Sequence, residues 1–222
     1  MATVSQSFPQ SRHWSRVSLW ILIVAMMAYV LVHNESFLIN RANPVWQHYQ
    51  PFKWWLLPHG LAGACAIFLG PMQFSDRLRQ RYLRLHKIIG YIYVAGAMIV
   101  APLGAYIQYF NERAHAPRSF TMAAIADASM LMLTTGIALF FVLRRNIQQH
   151  RQWMTRSYAV AIVFLEVRVI SGLLGFDHNE MATEVLVWTC VIFAVPLADI
   201  VLNWGEFTRA RATKMKAAAR AA

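Results

Sequence analysis

Charge is scarce in this chain, and negative charge most of all. Of the 222 residues 14% are charged, and Asp and Glu together number 10, whereas soluble domains carry about a quarter charged residues. That excludes an ordinary water-covered globule. Cysteine is nearly missing as well. Cys65 and Cys190 each fall inside an apolar run, which excludes a disulfide framework or a thiolate zinc site and leaves two small buried side chains as the plain reading. Period-two alternation over segments of about 10 residues is absent, so a membrane β-barrel is not indicated. No His-Glu-x-x-His occurs, and no Ser/His or paired-Asp constellation stands out, so protease chemistry has no support. Arg12 and Arg16 precede the first apolar run, but no small-residue cleavage site follows. That run is therefore expected to stay as an anchor rather than be removed as a signal peptide.

What the chain does have is apolar length. Of its residues 58% are hydrophobic, and several runs approach the roughly 20 residues that cross a bilayer. The expectation is an all-α bundle of six transmembrane helices in a single integral domain, with spans at about 16–33, 57–74, 86–109, 120–143, 153–175 and 184–204 and a basic tail over 205–222. Between the first two spans lie Trp46, Tyr49, Phe52, Trp54 and Trp55. Amphipathic rings at that density suit the headgroup layer, so this stretch is expected to lie on the membrane. Small residues recur every fourth position at Ala62, Ala66 and Gly70, and again at Ala97, Ala101 and Ala105. Such stripes let helices approach closely where lipid offers no hydrophobic drive to association.

The net charge of +11 follows this layout. Sixteen Lys and Arg fall on the side that holds both termini and the loops after the second and fourth spans, against four on the other. Positive loops stay in the cytoplasm, so both termini are expected inside, with the charge marking orientation rather than nucleic-acid binding. Four ionisable residues lie within spans: Asp127, Glu166, Arg168 and Asp199. Each costs about 2.5–3.5 kcal/mol at a span's centre and calls for a partner. Similar depth pairs Asp127 with Arg168, and Asp199 with Arg156. Glu166 has no evident partner and is the candidate for a proton path.

Four of the eight histidines stand near the ends of four consecutive spans, and the ends alternate: His59, His86, His115 and His150. A b-type haem needs two imidazoles facing each other at one depth. His86 with His150 would supply an inner pair, and His59 with His115 an outer pair. Gly90 follows His86 by one helical turn on the same face, which would let a flat macrocycle approach the backbone. Arg151 and Arg156 would hold its carboxylates.

Two stretches carry a family likeness. Gly70-Pro71-Met72-Gln73-Phe74, with the basic loop and Leu85-His86-Lys87-Ile88-Ile89-Gly90-Tyr91-Ile92-Tyr93-Val94, resembles the central signature of a bacterial family of uncharacterised predicted membrane proteins. His150-Arg151-Gln152-Trp153-Met154-Thr155-Arg156-Ser157-Tyr158-Ala159 is similar to that family's second signature. The matched positions are His86, Gly90, His150, Arg151, Trp153, Met154, Arg156 and Arg168, and the likeness spans about 60–170. A more distant resemblance is to the cytochrome b561 superfamily, which implies six spans and two b haems on the four central helices. The expected function is thus a b-type cytochrome-like electron-transfer protein of the bacterial inner membrane, with haem between the third and fifth helices. Its expected partners are the lipid bilayer, a quinol or a redox protein, and a second copy or a larger complex. The alternative is an assembly subunit or a small-molecule or proton transporter with no cofactor.

Overall fold

The structure is a computed structural model. It describes residues 11–33, 40, 42–176 and 179–221, and for 11–17, 19 and 205–221 the backbone alone. Nine α-helices account for nearly all of the described chain: α1 (Ser11–His33), α2 (Pro44–Tyr49), α3 (Lys53–Gln73), α4 (Asp76–Arg81), α5 (Leu83–Arg113), α6 (Arg118–Leu143), α7 (Ile147–Ala161), α8 (Val163–Leu174) and α9 (Glu180–Ala221). Five helical stretches are long and apolar enough to cross a membrane: Pro44–Gln73, Leu83–Arg113, Arg118–Leu143, Ile147–Leu174 and Glu180–Trp204. Trp20–His33 within α1 is a shorter apolar stretch. Large side chains cover the outside of these helices, among them Leu133, Leu143 and Val201, as expected of a chain solvated by lipid.

The expected boundaries shift in instructive ways. The start of the aromatic segment, 36–39 and 41, lies outside the described residues. Its remainder is helical: α2 begins at Pro44 behind an Asn43 cap, and a 3-10 turn at Gln50–Phe52 leads straight into α3. Pro58 is therefore an interior residue of α3 rather than part of its first turn. The aromatic segment packs on the far half of α5, where Phe52 stacks on Phe110 at 4.2 Å between centroids. The basic stretch after α3 is a short helix rather than a loop, capped by Ser75, whose Oγ accepts from the Leu78 N–H. The fifth span is interrupted at Ile162, whose backbone N–H points at both the Tyr158 and Val160 carbonyls. No glycine or proline marks that break. It sits in the run Val160-Ala161-Ile162-Val163, whose β-branched side chains weaken helix preference.

Helix α5 packs between α3 and α6, and α7 packs on α6 and α9. The stripe Ala62, Ala66 and Gly70 is buried as expected, and so are Ala97 and Ala101 opposite. A Cβ on Gly96 would come within 2.9 Å of the Ala62 carbonyl oxygen, so backbone meets backbone there. Polar locks join the central helices. Ser157 Oγ lies 2.8 Å from Tyr93 Oη and 2.7 Å from Thr135 Oγ1, all three buried, which ties α5, α6 and α7 together. Tyr158 donates to the Ile67 carbonyl on α3 at 3.1 Å.

Two turns carry non-glycine residues in the left-handed region, His115 at φ 79 and Arg145 at φ 59. Each closes a helix end by the same pair of bonds. After α6 these run from Arg145 N–H to the Val142 carbonyl and from Asn146 N–H to the Phe141 carbonyl. Glycine is the usual residue there, because a side chain costs about 1 kcal/mol or more in that conformation.

Candidate functional site

The α3–α5 and α6–α7 connections share one end of the bundle, here termed the basic end. A cavity of about 930 Å³ opens there between α5, α7 and the end of α6. That lies near the upper end of small-molecule site volumes. Its walls are mainly apolar, with Val94, Leu139, Val142 and Met154 among them, and its cations are Arg79, Lys87, Arg145 and Arg151. His86 and His150 both line it, and His86 lies within electrostatic reach of His150.

The two imidazoles are held differently. His150 lies at the end of the first turn of α7, which Asn146 caps, and its Nδ1 lies 2.8 Å from the Ala138 carbonyl oxygen. A carbonyl only accepts, so the proton sits on Nδ1 and the Nε2 lone pair is left available. A backbone carbonyl behind a histidine is also the arrangement that orients and strengthens a metal-ligating imidazole. His86 sits in the first turn of α5, and its Nδ1 is buried with no hydrogen-bond partner. Buried polar atoms are nearly always satisfied, so an orphan of this kind asks for an explanation. Gln73 donates to the His86 carbonyl at 3.4 Å. The space over Gly90 is taken by that same Gln73, since a Cβ there would come within 3.3 Å of its Oε1.

The other expected site residues fall elsewhere. Arg151 lines the cavity but Arg156 does not. Five helical residues turn the face by about 140°, which sends Arg156 toward α9. There its Nε donates to Asp199 Oδ1 at 2.7 Å, and its guanidinium lies over Trp153 at 4.7 Å. The Asp127–Arg168 pair does not form. Asp127 is buried with Oδ1 unpartnered, while Arg168 comes within electrostatic reach of His59. Matching depth alone does not say in which direction around its helix each side chain points. Glu166, half-buried on α8, lies within electrostatic reach of Tyr158 and Cys190. The outer histidines do not line the cavity. His59 Nδ1 lies 3.2 Å from the Val100 carbonyl on α5, and His115 is exposed in the turn before Pro117. Among the described residues no three His, Cys, Asp or Glu side chains gather as a metal site would require.

The sequence pattern does not mark Gln73, Arg79, Lys87 and Arg145 as lining residues. The three cations read as orientation charges, which hides that they also face a cavity.

The region over residues 56–202 matches the model of the predicted membrane protein family DUF2306. The chain belongs to that family. The match takes in both histidines, the stripe on α3 and the Arg156–Asp199 pair, so the site is part of the DUF2306 region. No curated protein and no solved structure matches the chain. The likeness to cytochrome b561 gains no support from these comparisons. This multi-pass membrane protein is described no more finely by its DUF2306 membership.

Asp127 yields a stability prediction. Its flanking turns, Ala123 and Leu131, belong to the apolar cluster that holds Val160, Val163 and Val167. Removing an unsatisfied buried carboxyl relieves its desolvation. Asp127→Ala should raise the unfolding free energy in detergent by about 1–3 kcal/mol. A thermal melt showing a clear loss would mean that the carboxyl has a stabilising role.

Proposed function

We propose that this protein is a b-type haem-binding electron-transfer protein whose haem lies in the basic-end cavity between His86 and His150. The observation that carries the reading is that these two imidazoles, on different helices and far apart in sequence, line one apolar cavity, with the buried Nδ1 of His86 unsatisfied. The residues present fit the group. The volume admits a macrocycle, His150 has its Nε2 available as a ligand, and cations flank the walls. Haem, when bound, would supply one-electron redox chemistry. The chain's own part is to hold and insulate. The Ala138 carbonyl keeps the His150 proton on Nδ1. The Leu139, Val142 and Met154 walls exclude water and so strengthen every charge interaction inside. By the positive-inside rule the basic end faces the cytoplasm, where a quinol at the interface or a soluble redox protein would exchange electrons with it.

A second reading, a cofactor-free assembly or transport protein, is favoured by one feature: Gln73 already fills the space over Gly90. The absorbance spectrum of protein purified from haem-replete cells distinguishes the two. The haem reading expects a Soret band that shifts on reduction and a sharp alpha band. A colourless preparation that also fails to take up added haemin would refute it.

A further inference from the structure

Arginine occupies position 145 although that turn favours glycine. Its φ of 59 and its pair of helix-closing bonds are those of a glycine terminus. The unfavourable backbone brings a side chain that lines the cavity. Its neighbour Arg144 lies against the Phe140 ring at 5.3 Å instead. Arg79 also lines the cavity, but Asp76 neutralises it through an ion pair at 2.6 Å. Lys87 on α5 and Arg151 on α7 complete the set, and among the described residues neither they nor Arg145 has a carboxylate partner. Three unneutralised cations from three elements thus border one apolar cavity.

We propose that Lys87, Arg145 and Arg151 form an anion subsite that receives the carboxylates of a ligand with a flat apolar body, and that Arg145 is its specificity-determining residue. This rests on the tetrapyrrole reading of the same cavity and adds how the acid side groups are recognised. Guanidinium groups match carboxylates in geometry as well as in charge.

The test uses full-length protein in neutral detergent, freed of haem, with metal-free protoporphyrin as the probe. Metal-free porphyrin keeps both carboxylates and forms no iron–imidazole bond, so the difference in binding between the acid and its ester reports the acid groups. In the wild type the free diacid is expected to bind about tenfold or more tighter than its dimethyl ester. In Arg145→Gly that preference should fall to about twofold, while the unfolding midpoint of the unliganded variant stays equal or rises, because glycine suits the turn. Arg145→Ala should lose the same preference without the gain in stability. Equal binding of acid and ester by the wild type, or an unchanged preference in both variants, would overturn the inference. Displacement of the porphyrin by phosphatidylglycerol at matching concentration would also overturn it and assign the cations to a lipid headgroup. The two proposals fail separately. Histidine-dependent haem spectra without acid–ester discrimination would remove the subsite alone, and discrimination without any haem spectrum would remove the axial-ligand reading alone.

Discussion

His86→Ala and His150→Ala should each abolish the bis-imidazole spectrum of the haem-loaded protein and weaken haem affinity by about a hundredfold or more. The magnitude follows from the usual 10–100-fold cost of losing only the group behind a metal ligand; losing the ligand itself costs at least as much. His59→Ala and His115→Ala serve as the contrast. His59 is turned onto the Val100 carbonyl and His115 is exposed, so both variants should keep the spectrum and the affinity. A titration in which His59→Ala bleaches the protein as fully as His86→Ala would move the ligand set to the other end of the bundle. Unchanged binding in His86→Ala and His150→Ala alike would remove the haem from this cavity.

The largest effect on stability is expected at Gly70. A Cβ there would overlap the Tyr158 ring, and Tyr158 is a buried core residue that also donates to the Ile67 carbonyl. The ring is held by its bond to Ile67 and its edge contact with Phe74, so Gly70→Ala should destabilise by about 3 kcal/mol, the upper part of the range for overpacking. A double-mutant cycle tests the cause. In a Tyr158→Leu background the cost of Gly70→Ala should shrink to under about 1 kcal/mol, because the shorter side chain leaves room. An equal cost in both backgrounds, measured by unfolding in mixed detergent, would assign the effect to backbone rather than to the ring.

How far the chain could be read without coordinates depends on the kind of information asked for. Spans and small-residue stripes were legible because they rest on one-dimensional patterns: run length, and period four at Ala62, Ala66 and Gly70. The Arg156–Asp199 pair was reachable too, since both residues sit near the same end of their expected spans, 153–175 and 184–204. Azimuth was harder. Asp127 and Arg168 have matching expected depths yet do not pair, and the break at Ile162 has no proline or glycine to announce it. Arg156 could have been separated from Arg151 by counting five residues around the helix. Arg145 could not have been found, because nothing in Leu143-Arg144-Arg145-Asn146 says that an arginine takes the left-handed position. The orphaned nitrogen of His86 was equally hidden, because satisfaction depends on neighbours contributed by other helices.

The hydroxyl cluster of Tyr93, Ser157 and Thr135 lies about one turn deeper than the cavity walls at Gly90, Leu139 and Met154, and level with Val94. It acts as a rivet through three helices just below the floor of the cavity. Helices pinned at that level can splay only at their free tips, like the jaws of a clothes peg. A bulky guest would then enter past the α4 and α6–α7 turns, and the far leaflet would feel almost nothing of its arrival.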